Sequence, residues 1–153
     1  MDFKQLLKND FIILDGAMGT MLQAAGLEAG GIPELLNITD PELIENIHKK
    51  YIEAGSDIVY ANTFGANRYK LKNHSVDEII GAGIAIAKRA CNGKALAALD
   101  IGPIGQLLEP TGTLKFEEAY DIFKEQIIAG RDADVIVFET MTDLYELKAA
   151  VLA

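Results

Sequence analysis

Ile58-Val59-Tyr60-Ala61-Asn62-Thr63-Phe64-Gly65 decides the fold, because four apolar residues, too few for a helix, run straight into an amide, a hydroxyl and a glycine. A short apolar run of this kind marks a strand buried on both faces, and the polar corner behind it delivers hydrogen-bonding groups to one end of a sheet. The figure recurs at Phe11-Ile12-Ile13-Leu14-Asp15-Gly16, at Ala95 to Leu99 followed by Asp100-Ile101-Gly102-Pro103, and at Val135-Ile136-Val137-Phe138-Glu139-Thr140. Asp15, Asn62, Asp100 and Glu139 follow one another at intervals of 47, 38 and 39 residues, each long enough for one strand, one helix and two loops. In parallel α/β folds ligands meet the protein at the carboxyl ends of the strands, so these corners are where function is sought.

Helices fill the intervals. Asp40 reads as an N-cap with Pro41 at the first helical position, and Leu43, Ile44, Ile47, Tyr51 and Ile52 form an apolar stripe that stops at Gly55. Ser75 with Glu78 three residues on reads as a capping box for a second helix carrying Ile79, Ile80, Ile84 and Ile86 and stopping near Asn92-Gly93. Phe116, Ala119, Tyr120, Phe123 and Ile127 mark a third that ends at Gly130, and Asp143 caps a fourth through Leu144, Leu147, Ala150 and Val151. Residues 16 to 40 read as a long loop with one helical turn at Thr20 to Ala25, and residues 102 to 113 as an irregular Gly/Pro/Thr-rich loop. Four consecutive βα units are half of an eight-unit barrel, with an open four-stranded sheet as the competing architecture. The end of the chain inside a helical pattern favours part of a larger domain.

The chain has 153 residues, half of them hydrophobic, which suits one core and one domain. A net charge of -9 repels phosphate backbones and argues against nucleic acid as a partner. No run approaches the roughly 20 apolar residues of a membrane span, and no basic-then-apolar leader opens the chain, so a cytoplasmic protein without a membrane partner is expected. The single cysteine, Cys91, precludes an internal disulfide and cannot assemble a thiolate metal site alone.

Each corner has a functional and a plain reading. Asp15 precedes Gly16-Ala17-Met18-Gly19-Thr20, whose backbone N–H groups can cradle a carboxylate or phosphate, or Asp15 merely caps its own turn. The turn lacks the three-glycine spacing of a dinucleotide fingerprint. Asn62 and Thr63 suit a polar ligand or an Asx turn, and Asp100 reads as an acid organising the amides of its own loop. Glu139, behind four apolar residues, sits in a partly desolvated mouth and wants a cationic partner. His48 and His74 read as structural or solvated, Cys91 as a bystander thiol, and Tyr60 as core.

Ile13-Leu14-Asp15-Gly16-Ala17-Met18-Gly19-Thr20-Met21-Leu22 resembles the opening of the homocysteine S-methyltransferase family, and within it the homocysteine-binding domain of cobalamin-dependent methionine synthases. Pro33-Glu34-Leu35-Leu36-Asn37, Tyr51-Ile52-Glu53-Ala54-Gly55-Ser56-Asp57, Asn62-Thr63-Phe64-Gly65-Ala66, Asp100-Ile101-Gly102-Pro103 and Phe138-Glu139-Thr140 follow in family order over essentially the whole chain. The resemblance implies a TIM (β/α)8 barrel, of which residues 1–153 are the first four βα units, the N-terminal half of a homocysteine-binding domain. It implies homocysteine as substrate, with Asp15 and Glu139 on its ammonium, the amides of Gly16, Ala17 and Met18 on its carboxylate, and Asn62 and Thr63 as a supporting wall. It also implies zinc held by three cysteine thiolates, which lowers the thiol pKa of homocysteine, and a methyl group carried on cobalamin in another domain.

The family's zinc cysteines lie in the later half of the barrel, and Cys91 matches none of them. The expectation is a chain that grips the amino acid but binds no zinc and transfers no methyl group alone. Its partners would be the remaining half-barrel and the folate and cobalamin domains, with self-association through exposed strand edges in isolation. The alternatives are a non-catalytic amino-acid-binding half-barrel, and an open α/β domain holding phosphate at Gly16 to Thr20.

Overall fold

A computed structural model describes residues 2–28 and 30–153. In chain order the elements are α1 (Phe3–Leu6), α2 (Met18–Ala24), a 3-10 turn (Pro33–Leu35), α3 (Leu36–Thr39), α4 (Pro41–Glu53), β1 (Ile58–Tyr60), α5 (Arg68–Leu71), α6 (Val76–Cys91), β2 (Leu96–Ile101), α7 (Phe116–Ala129), β3 (Val135–Phe138) and α8 (Leu144–Leu152). The strands form a parallel sheet in the order β1-β2-β3, with Val59 beside Ala97 and Leu99 beside Ile136.

Local chemistry places the helix starts where the sequence puts them. Asp40 accepts a hydrogen bond from the Leu43 N–H (3.2 Å), Ser75 from the Glu78 N–H (3.2 Å) and Asp143 from the Tyr145 N–H (2.8 Å). α6 closes on Asn92 in the left-handed region (φ 43°) followed by Gly93 (φ 74°), the expected stop for a chain that must turn back into a strand. The loop read over residues 16 to 40 contains three short helical elements, and Ala29 within it lies outside the described residues.

The first predicted strand is the main departure. Phe11–Leu14 makes one isolated parallel bridge, Leu14 to Ile58, with the Asp57 N–H donating to the Ile13 carbonyl (2.7 Å) and the Ile13 N–H to Asp57 Oδ2 (2.9 Å). It lies along the β1 edge but is not buried: Phe11 is 73% exposed and Leu14 47%. An apolar run becomes a two-sided strand only where both neighbours are present, and here one side is open. β3 shows the same at the other edge, since Ile136 is exposed, whereas all six residues of β2 between them are buried.

Alternation along the strands divides the core. Val59, Ala97, Leu99 and Ile101 join α6, α7 and α8 in one continuous cluster. Ile58, Leu96 and Ala98 face the other way and, among the described residues, are covered by Leu6, with Phe3, Ile12, Tyr60, Val135 and Val137 around them. Among the described residues no helix is long and apolar enough to cross a membrane.

Candidate functional site

A cavity of about 440 Å³ opens at the carboxyl ends of the strands, and Asp15, Gly16, Ala17, Met18, Asn62, Thr63 and Glu139 all line it. Residues up to 124 positions apart in sequence thus share one wall. Glu34, Tyr60, Phe64 and Asp100 complete it together with small residues. Four of these side chains are carboxyls, and among the described residues no Lys, Arg or His lines the cavity.

Asp15 hangs from the end of the Leu14 bridge, and its Oδ2 accepts a hydrogen bond from the Tyr60 N–H (3.0 Å). Burial pushes its carboxyl up to about 7; the Tyr60 N–H opposes the shift and nearby Glu139 adds to it. The turn behind it is pinned by Tyr51, whose hydroxyl donates to the Ala17 carbonyl (3.1 Å). A Cβ at Gly16 would lie 2.9 Å from the Tyr51 ring, so glycine is what allows this closeness. α2 then begins at Met18 with no side-chain cap, which leaves first-turn N–H groups without intrahelical partners at the cavity wall.

Asn62 and Thr63 are largely engaged by the protein itself. The Asn62 Nδ2 donates to the Pro33 carbonyl (2.8 Å) and to Asn37 Oδ1 (3.0 Å), while the Asn37 Nδ2 donates to the carbonyls of Asn62 (2.8 Å) and Ile79 (3.1 Å). The Thr63 hydroxyl donates to the Asp100 carbonyl (2.9 Å) and accepts from the Asp100 N–H (3.2 Å). These two residues build the wall by tying the 3-10 turn and β2 to the end of β1.

Sequence reasoning missed three residues. Glu34 is buried, and its Oε1 accepts a hydrogen bond from the Gly65 N–H (2.6 Å). Its signal was present in the Pro33-to-Asn37 match, but nothing local says that this segment reaches the end of β1. Tyr60, read as core, is half-buried at the cavity, and its phenol is raised by burial and by Glu139, Asp100 and Asp15. Asp100, read as a loop organiser, does not organise its loop. β2 runs through Ile101 rather than stopping at Leu99, so Asp100 stands inside the sheet, on the face of Ala98, with Oδ1 buried and without a hydrogen-bond partner. Burial pushes its carboxyl up to about 8, with Glu139, Asp15 and Glu34 adding to the shift.

The residues outside the cavity take their plain readings with one surprise. His48 is fully buried in α4 with neither ring nitrogen hydrogen-bonded, and burial lowers it to about 4. Cys91 is buried at the end of α6, its thiol pushed up to about 11 chiefly by burial. Among the described residues no three His, Cys, Asp or Glu side chains converge to hold a metal ion.

Comparison with known proteins gives this architecture a family. The chain is 37% identical to methionine synthase of Mycobacterium tuberculosis and 36% identical to that of Mycobacterium leprae; 99% of this chain and 14% of each relative are covered. It therefore spans about one seventh of the length of the curated relatives it matches. The homocysteine methyltransferase MmuM from Escherichia coli, in its metallated form, superposes with a TM-score of 0.82 over 95% of this chain and 59% of that one, at 23% identity. Its apo form gives a TM-score of 0.75 at 25% identity, over 94% and 54% of the two chains. The family model for homocysteine S-methyltransferase matches residues 12–153, from the Leu14 bridge to the last helix, and the chain belongs to that family.

Proposed function

We propose that these 153 residues are the amino-acid-gripping half of a homocysteine S-methyltransferase barrel, acting in a methionine synthase. The observation that carries the reading is the pairing, across one strand-end cavity, of acids that lack a cation with an uncapped glycine turn. A free amino acid is the complementary ligand, since its ammonium meets Asp15 and Glu139 while its carboxylate meets the N–H groups of the Gly16-to-Met18 turn. Two opposite charges held at two fixed points fix the direction in which the side chain of homocysteine points, which is the positioning that methyl transfer to sulfur requires. The cavity volume admits a ligand of that size with room left for water.

The residues present do not fit the zinc that the resemblance implies. Cys91 is buried in a helix with its thiol raised rather than lowered, and no convergent ligand set accompanies it among the described residues. In this reading the zinc thiolates, the cobalamin and the methyl donor belong to sequence other than these residues, and the open edge at β3 is where the second half of the barrel joins. The chain alone then binds the amino acid without transferring a methyl group.

Calorimetric titration with L-homocysteine tests the proposal. Binding is expected, weakened by about tenfold or more in Asp15→Asn and in Glu139→Gln, because each removes a charged hydrogen-bond acceptor. Tighter binding of inorganic phosphate than of homocysteine would overturn it in favour of an anion site at the glycine turn.

A further inference from the structure

We propose that Asp100 is a third carboxyl of the amino-group subsite, and that an entering ammonium takes this carboxyl as partner and displaces its proton into solvent. The inference rests on the reading that the cavity holds an amino acid, and it adds a residue and a proton to it.

The geometry sets Asp100 apart from a structural acid. Both of its backbone polar groups are taken, the N–H and the carbonyl each hydrogen-bonded to the Thr63 hydroxyl. Its side chain is left over: the residue is 6% exposed, it lines the cavity, and Oδ1 has no partner. A buried polar atom without a partner costs about 1–3 kcal/mol, so a fold that leaves one on a residue at the wall of a strand-end cavity is holding it for something that arrives. The groups facing it are Asp15 beyond β1, Glu139 beyond β3, Glu34 of the 3-10 turn and the Tyr60 phenol of β1. All four are acidic, so the arrival favoured is a cation.

The charge balance then fixes the proton. Carboxyls this close cannot all ionise, and burial together with its neighbours holds Asp100 in the acid form near neutral pH. One ammonium lowers the cost of ionisation. The carboxylic O–H bond breaks, the proton passes to water, the ammonium keeps its three hydrogens, and a carboxylate–ammonium pair forms. Thr63, by clamping the Asp100 backbone on both sides, keeps its carboxyl at the cavity wall while this happens.

Calorimetry at pH 7 in PIPES and in Tris counts the protons released, using L-methionine, 3-(methylthio)propylamine, which lacks the carboxylate, and 4-(methylthio)butanoate, which lacks the ammonium. The first two are expected to release protons and the third none. Asp100→Asn should remove roughly half of the release, the remainder coming from Asp15, and weaken methionine and the amine about tenfold while leaving the butanoate unchanged. Methionine binding without proton release, or with release unchanged in Asp100→Asn, overturns the role of Asp100 and leaves the amino-acid reading intact. Proton release by the amine with no binding of methionine keeps Asp100 and overturns the amino-acid reading, and failure of all three ligands overturns both. Should the variant not fold, the Asp100 carboxyl 13C resonance of the unmodified chain decides, by moving to its ionised value on addition of the amine or by staying where it is.

Discussion

On the helix side of the sheet, Val59, Ala97, Leu99 and Ile101 run into a continuous core with α6, α7 and α8, whereas on the opposite side Ile58, Leu96 and Ala98 meet, among the described residues, Leu6 and a fringe of half-buried residues. Burial free energy scales with apolar area removed from water, so nearly all of the stabilisation resides on the first side. The second side runs into the cavity instead, for Asp100 continues the face of Ala98, and Tyr60 that of Ile58. One face holds the sheet together and the other is left open enough to hold a ligand.

The sharpest way to break that comparison is to truncate one side chain on each face. Leu99 is wholly buried against Gly130, where even a Cβ would collide with it, so Gly130 has no side chain with which to fill the space it leaves. Leu99→Ala should cost about 3 kcal/mol in urea unfolding followed by circular dichroism. Val137, on the other face and half-buried, should cost about 1 kcal/mol or less as Val137→Ala. Equal losses at the two positions would mean that the thinly covered face is packed by something beyond its visible neighbours, such as a second copy of the chain.

A second contrast is electrostatic, and it sets the two regions against each other in pH. His48 is neutral in the fold with a pKa lowered to about 4, below its ordinary 6.5, so the unfolded chain binds the extra proton between these values and stability is lost as pH falls from about 6.5 to 4. Asp15 and Asp100 are raised from 3.8 to about 7 and about 8, so here the folded chain binds the extra protons and stability declines as pH rises from about 4 to 8. Thermal unfolding from pH 4 to 8 should therefore show a Tm that falls as pH rises, because the two carboxyls outweigh the one histidine over the range they share and act alone above it. His48→Leu should steepen that fall below about pH 6.5 alone, and Asp100→Asn should make it shallower up to about pH 8. A Tm that instead rose from pH 4 to 6.5 would refute the raised carboxyls, and an unchanged slope in His48→Leu would refute the lowered histidine.

The parts of the fold that were legible in the sequence are those governed by neighbours in the chain. Asp40, Ser75 and Asp143 cap where local rules place them, and Asn92-Gly93 turns the chain where a left-handed residue is needed. The pattern at Phe11–Leu14 was read as a buried strand because an apolar run records a propensity and not the presence of a second neighbour. The Asn37–Asn62 amide pair and the Glu34–Gly65 bond join segments 25 and 31 residues apart, and no periodicity encodes such a meeting. Asp100 was misread for the smallest of reasons: the strand continues two residues past its apolar stretch, because Asp100 and Ile101 pair with Val137 and Phe138 of β3. The acids that line the cavity are marked in the sequence by their place after apolar runs, while the wall around them depends on contacts made only on folding.

The smallest expected effect concerns the residue immediately after Glu139. Thr140 is exposed and adopts φ 56°, a left-handed conformation that a β-branched residue enters only at a cost of about 1–2 kcal/mol. Glycine would remove that strain, and its greater freedom in the unfolded chain offsets part of the gain, so Thr140→Gly should stabilise by about 0.5 kcal/mol. Because the strain lies at the hinge of a site acid, the same substitution should loosen Glu139 and weaken amino-acid binding a few-fold, so that stability and affinity move in opposite directions. Leu99→Ala, by contrast, acts on the helix face and should lower stability with affinity nearly unchanged in the fraction that remains folded. If Thr140→Gly instead lowered Tm, the threonine would be making contacts that outweigh its backbone strain, and the mouth of the cavity would draw stability from its own loop rather than from the helices behind it.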